Sequence, residues 1–130
     1  MIDDKEAGFT ALATKYLDRL EEALKQAQSG TIKKQLSIPA ITEPVMRLKA
    51  HAATYRYSAI RQLTNVMLSF MDAIADLDEE ALEIAEAHHT SLRAIVAKTT
   101  IAEAEHESKK LEKELKNACA RYFNKRKAGN

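Results

Sequence analysis

The chain is almost free of residues that break helices, and neither glycine nor proline occurs between Asp78 and Lys127. Its 130 residues contain only 3 Gly and 2 Pro. Both residue types are the costliest in a helix interior, so their scarcity favours helix over nearly the whole chain. Hydrophobic residues make up 45% and charged residues 30%, which is enough for one folded core. We therefore predict one all-α domain over residues 1–130.

Apolar residues recur every three or four positions, which is the spacing of one face of an α-helix. The first such stripe predicts a helix over residues 3–28, and Gly30 can end it in a left-handed conformation. The stripe consists of Phe9, Leu12, Tyr16, Leu20 and Leu24. Residues 29–43 include Pro39 and are less regular, so we predict a connection there.

The most apolar part of the chain, residues 44–98, predicts a helical core. One helix ends near Thr54, and the next should be the most buried because its stripe is broad. That stripe contains Ile60, Leu63, Met67, Met71 and Ile74. Asp76 or Asp78 then suits the start of a further helix, since a carboxylate can cap free backbone N–H groups. We expect these helices to form an antiparallel bundle with the first one.

The C-terminal part predicts either one very long helix from Asp78 or two helices that abut at residues 99–100. A helix of about 45 residues would be about 68 Å long, which exceeds what one small domain covers. The extension over 99–127 carries a new apolar stripe, and residues 128–130 should fray. The stripe consists of Leu111, Leu115, Ala118 and Tyr122. We expect it to be the seam of a coiled-coil homodimer, although packing against the first helix is the alternative.

Charge and cysteine content restrict the class of protein. Twenty basic against nineteen acidic residues leave a net charge of +1, which predicts no binding to nucleic acid or membrane. No apolar run approaches the roughly 20 residues that span a bilayer, and the N-terminal residues lack the apolar stretch of a signal peptide. The one cysteine, Cys119, cannot form an internal disulfide. We therefore expect a protein of a reducing compartment, the cytoplasm.

The histidines are the first candidates for chemistry. His88 lies on the apolar stripe of its helix and His89 is turned about 100° away from it, with Arg93 one turn beyond. Burial explains His88, whereas phosphate acceptance is the alternative for either residue. His51 lies among alanines near basic residues and is the third possible phosphoacceptor.

Other catalytic and metal-binding arrangements are missing from the sequence. Glu103 and His106 have the ExxH spacing, but a di-metal bundle needs a second such pair. Cys119 lies on an amphipathic face where packing explains it, and one cysteine does not make a structural zinc site. We expect no catalytic residue, no metal site and no cofactor.

Part of the chain resembles histidine phosphotransfer domains, which are helical bundles. Leu48-Lys49-Ala50 resembles the end of their AHxLKG motif, and residues 52–57 resemble the small and aromatic residues that follow. Three core positions of the next helix are also similar, and the resemblance covers residues 44–96. The three positions are Leu63, Leu68 and Phe70.

The same resemblance places Met46 where the family has its phosphorylated histidine, and Ala50 where it has glycine. Methionine cannot accept a phosphoryl group, and His51 lies about 140° around the helix from Met46. The resemblance therefore implies a scaffold that has lost its acceptor but can still bind a response-regulator receiver domain or a histidine kinase. The implied docking surface consists of Met46, Lys49, Ala50, Ala53 and Arg56.

Three functions thus remain open at the level of the sequence. The first is a non-catalytic signalling adaptor of the two-component type. The second is a structural dimerisation module without a ligand. The third is an active phosphotransfer protein that uses His88, His89 or His51.

Overall fold

The computed structural model describes residues 4–98 and 100–128, with side chains described for residues 8–98 and 100–127. All regular secondary structure in these ranges is α-helical, which confirms the all-α prediction. The helices are α1 (Asp4–Ser29), α2 (Lys34–Thr54), α3 (Ser58–Ala73), α4 (Glu79–Val96) and α5 (Ile101–Ala128). No helix among the described residues is long and apolar enough to cross a membrane.

Helix α1 agrees with the prediction from its apolar stripe. Phe9, Tyr16, Leu20 and Leu24 are buried, and the helix ends at Ser29. Gly30 follows with φ of 73°, a conformation in which a side chain would be strained. The predicted left-handed residue after the first helix is therefore confirmed.

Helix α2 begins earlier than the sequence indicated. The predicted connection over 29–43 is helical from Lys34 onward, and Pro39 and Pro44 both lie inside the helix. A proline in a helix interior removes one backbone hydrogen bond and costs about 3 kcal/mol. Burial of the apolar residues between and beyond the prolines offsets this cost. These residues include Ile41, Val45 and Leu48, each at most 1% exposed.

Helix α3 is the most amphipathic segment and carries the predicted broad stripe. Ile60, Leu63 and Met67 are completely buried, and Met71 is 2% exposed. Ile74, just beyond the helix, is also buried and closes the stripe. The prediction of a strongly buried helix at this place is confirmed.

Helix α4 starts at the predicted cap. The Asp78 carboxylate accepts a hydrogen bond from the Ala81 amide at 2.8 Å, and Glu79 and Glu80 occupy the first turn. The helix ends at Val96, so one continuous helix to residue 127 is wrong.

A new helix, α5, starts at Ile101, where the Thr100 hydroxyl accepts a hydrogen bond from the Glu103 amide. Thr99 lies outside the described residues, as do residues 129–130 of the predicted frayed tail, while Ala128 is the last residue of α5.

The five helices pack around one core. Helix α1 contacts α2 and α4, whereas α3 contacts α2, α4 and α5. Helix α5 also contacts α4. The break between α4 and α5 makes it possible for α5 to pack against α3 and α4, because a single straight helix would leave the bundle.

The stripe predicted as a dimer seam is covered within the chain itself. Leu115 is 5% and Tyr122 is 3% exposed, and Leu111 and Ala118 are half-buried. Tyr122 packs edge-on against Phe70 of α3 at a ring-centroid distance of 5.2 Å. The stripe therefore does not need a second chain, and packing against the first helix is also wrong, because α5 contacts α3 and α4 within the described residues. A homodimer stays a prediction that the stripe no longer supports.

A cluster of charged groups fixes the end of α5 to the start of α4. Arg126 donates to the Asp78 carboxylate at 2.6 Å and lies 3.3 Å from the centroid of the Tyr122 ring. The Tyr122 hydroxyl donates to the same carboxylate at 3.1 Å. Lys125 pairs with Glu80 at 3.3 Å. These contacts give α5 a defined register on α4.

We predict that Leu115→Ala lowers the free energy of unfolding by about 2–4 kcal/mol, because it opens a cavity in the core of one chain. Urea denaturation followed by circular dichroism measures this loss. The midpoint should be independent of protein concentration, and Lys113→Ala on the exposed side of α5 serves as the control. A midpoint that rises with protein concentration would show instead that the stripe joins two chains.

Candidate functional site

The outward face of α2 carries the residues predicted to bind a partner. Met46, Lys49, Ala50 and Ala53 share this face because their spacing is three and four. Met46 is 59% exposed, the largest exposure of any bulky apolar side chain among the described residues. Ala50 and Ala53 are also exposed, and Lys49 is half-buried. The face therefore combines one free apolar side chain with small neighbours that permit close approach.

Met46 also borders a groove between α2 and α3. The groove has a volume of about 640 Å³, and half-buried Ile38 and Leu68 line it. Lys49 on one side and Asp72 on the other give it charged edges. An apolar centre with a polar rim is the usual composition of a protein docking surface. Leu68 and Asp72 were missed as site residues because only the tertiary packing brings α3 beside this face.

Arg56, the last predicted docking residue, occupies a strained position. Its φ is 58°, in the left-handed region, and its amide donates to the Ala53 carbonyl at 3.2 Å. The Tyr57 amide donates to the Ala52 carbonyl at 2.7 Å, which completes a Schellman turn. Glycine is the usual residue here, since any side chain in this conformation costs about 1–2 kcal/mol. The exposed Arg56 carries this strain directly after the end of α2.

His88 is part of the core and has no access to solvent. Its exposure is 0%, and its ring stacks on Phe70 with 6.2 Å between centroids. Nδ1 donates to the Ile84 carbonyl at 2.8 Å, so the proton is on Nδ1. Nε2 has no hydrogen-bond partner among the described residues. Burial lowers the pKa of His88, only partly offset by the bond to Ile84, and a phosphodonor cannot reach the ring in this fold.

His89 is engaged in a network that joins α4 to α1. Arg93 donates through Nε to Nε2 of His89 at 3.0 Å. Nη2 of Arg93 donates to the Asp18 carboxylate at 2.7 Å and to the Glu21 carboxylate at 2.9 Å. Burial and the nearby Arg93 charge both lower the pKa of His89. A phosphoryl group on Nε2 would displace Arg93 and lie beside two carboxylates, so the geometry disfavours His89 as an acceptor.

His51 is the remaining candidate and faces α1 rather than the docking face. Its Nε2 lies 3.3 Å from the Tyr16 hydroxyl, and the two rings stack with 5.4 Å between centroids. The ring is half-buried. Lys15 and Arg19 of α1 lie beside the same tyrosine, and Arg47 lies one turn before His51. Lys15 and Arg19 share one face of α1 by their spacing of four, but only the packing of α1 on α2 brings them near His51, so they were not predicted as site residues.

Cys119 is the remaining reactive side chain that the sequence singled out. Cys119 is half-buried in the α3–α5 groove, and burial raises the pKa of its thiol to about 11, which leaves very little thiolate at neutral pH. No group of three His, Cys, Asp or Glu side chains within the described ranges is arranged to hold a metal ion.

We predict that stability decreases as the pH falls below about 6.5, because the unfolded chain protonates His88 near that value and the folded chain only at lower pH. The slope from this residue is at most about 1.4 kcal/mol per pH unit. His88→Leu should reduce the loss of unfolding free energy between pH 7.5 and 5.5. The loss that remains in this variant should come from His89. Urea denaturation at several pH values measures it, and His106→Gln on the exposed side of α5 is the control. An unchanged slope in His88→Leu would contradict the burial argument.

Comparison of the chain with protein-family models, curated proteins and solved structures finds no match in any of the three. The resemblance to histidine phosphotransfer domains thus stays a prediction from the residues quoted above.

Proposed function

We propose that this protein is a non-catalytic signalling adaptor of the two-component type, which binds a receiver domain or a histidine kinase through the outward face of α2. The single observation that supports this most is the exposure of Met46, 59%, beside an apolar groove. Burying a free apolar side chain stabilises a complex, whereas leaving it in water contributes nothing to folding. Met46 also stands at the position where histidine phosphotransfer domains, which this part of the chain resembles, have their phosphorylated histidine.

The state of the histidines supports a role without phosphotransfer. His88 is fully buried, and His89 is occupied by Arg93. His51 points toward α1, so a receiver bound over Met46 would not have this ring at its centre. Incubation with a labelled phosphodonor kinase should therefore leave the chain unlabelled. Acid-labile label that disappears in His51→Ala would overturn the non-catalytic part of the proposal.

Two finer features belong to the same proposal. Helices α1 and α2 run antiparallel, which is supported by Phe9 lying 5.6 Å from Tyr55 and Tyr16 lying 5.4 Å from His51, measured between ring centroids. The protein acts in the cytoplasm, which is supported by the single unpaired Cys119, because thiols stay reduced in that compartment.

We predict that Met46→Glu weakens partner binding at least tenfold, about 1.4 kcal/mol, because a carboxylate would have to be desolvated in the interface. Calorimetric titration against purified receiver and kinase domains of the source organism measures the dissociation constant. Leu36→Glu is the matched control: Leu36 is 51% exposed and lies on the same helix, about 15 Å further along its axis.

Ala53→Arg should abolish partner binding, because it places a bulky charged side chain on the same face of α2. The proposal fails if no receiver or kinase domain binds, or if Met46→Glu and Ala53→Arg bind as tightly as the unaltered chain.

We further predict opposite effects of Arg56→Gly on stability and binding. Glycine relieves the left-handed strain and should raise the free energy of unfolding by about 0.5–1 kcal/mol, since part of the relief is offset by greater freedom of the unfolded chain. Loss of the guanidinium should weaken partner binding. Arg56→Ala separates the two effects, because it removes the guanidinium but keeps the strain. A stabilised Arg56→Gly with undiminished binding would exclude Arg56 from the docking surface.

A further inference from the structure

A second surface, between α1 and α2, gathers basic side chains around one tyrosine. We call Lys15, Tyr16, Arg19, Arg47 and His51 the α1–α2 basic cluster. Lys15 Nζ lies 5.9 Å and Arg19 Cζ 5.6 Å from the centroid of the Tyr16 ring. The His51 ring stacks on that tyrosine at 5.4 Å. The pKa of Arg47 is raised first by Glu43 and, to a smaller extent, by the Tyr16 hydroxyl, so Arg47 also borders this group.

The charges in this cluster are only partly balanced. Lys15, Arg19 and Arg47 are permanent cations, and Glu43 pairs with Arg47. Among the described residues, Lys15 and Arg19 form no salt bridge. Within the described part of the chain, two of the three basic side chains thus have no carboxylate in salt-bridge contact.

The carboxylates of α1 that are nearest to Lys15 and Arg19 in sequence accept hydrogen bonds from other residues. Asp18 accepts from Arg93 of α4, and Glu22 accepts from Gln26 one turn further along α1. Asp18 and Glu22 lie one turn after Lys15 and Arg19, a spacing at which opposite charges can pair on a helix. Neither pair forms a salt bridge within the described residues, so the two basic side chains stay beside Tyr16 without direct contact to a carboxylate.

The centre of the cluster is also held in place. Tyr16 is 7% exposed, and its hydroxyl lies 3.3 Å from Nε2 of the half-buried His51. Tyr16 and His51 thus hold each other in place between α1 and α2. The long basic side chains of both helices lie around this pair.

We propose that the α1–α2 basic cluster binds a doubly charged oxyanion of the phosphate class, either free or as the terminal group of a small molecule. Arginine donors match the oxygen atoms of a phosphoryl group in pairs, and a dianion can contact both basic side chains that form no salt bridge within the described residues. Binding is non-covalent and requires no step at His51. Around α2, His51 lies about 140° and Arg47 about 100° from Met46, so the cluster lies on a different side of the helix from the proposed docking face.

The structure suggests a variant that should improve binding as well as variants that should impair it. Glu43→Gln removes the only carboxylate paired within the cluster and frees Arg47, so the affinity for phosphate should increase about threefold. Arg19→Gln and Arg47→Gln each remove one cation and should decrease the affinity about fivefold. Arg121→Gln, on the exposed side of α5, is the matched control and should bind like the unaltered chain.

The experiment is a titration with inorganic phosphate, followed by NMR of the ring protons of Tyr16 and His51. Ionic strength is held constant with sodium chloride, and backbone spectra verify that each variant is folded. We expect saturable shifts at both rings and the stated order of affinities. A parallel titration with methyl phosphate distinguishes the two sources, because tighter binding than phosphate indicates a phosphorylated small molecule. Shifts that do not saturate, that chloride reproduces, or that Arg19→Gln and Glu43→Gln leave unchanged would overturn the proposal.

Discussion

The packing of Phe70 is the interaction on which the rest of the architecture depends. Its ring stacks on His88 of α4 and meets Tyr122 and Phe123 of α5, with centroid distances of 5.2 Å and 5.7 Å for the latter two. One side chain of α3 thereby joins the three C-terminal helices. Helix α5 contacts α3 and α4, and no contact between α5 and α2 is found among the described residues. Met46 on the outward face of α2 stays 59% exposed.

The two sides of α2 have different surroundings, and this difference separates the two proposals. The side with Met46 borders an apolar groove with charged edges, which suits a folded partner. The side with His51 meets α1 and gathers cations around Tyr16, which suits a small anion. Two prolines inside this helix do not prevent its formation, since buried residues on both sides of them hold it against α1 and α3.

The sequence predicts local features well and long-range ones poorly. The stripe of α3, the cap at Asp78 and the left-handed Gly30 follow from neighbours within one or two turns, and all three are confirmed. The start of α2 at Lys34 could not be predicted, because only tertiary burial outweighs the cost of Pro39. The packing of α5 against α3 depends on contacts between residues that are far apart in the chain, such as Phe70 and Tyr122. The same reason hid Leu68, Lys15 and Arg19 from the candidate sites.

Methyl NMR of the methionines tests most directly whether the open face of α2 binds a partner. Met46 is 59% exposed, whereas Met67 is fully buried and provides an internal reference. When a receiver or kinase domain that binds the chain is added to a sample labelled at the methionine methyl groups, the Met46 signal should shift and broaden while the Met67 signal stays in place. A bound partner that leaves the Met46 methyl signal unchanged would contradict the account.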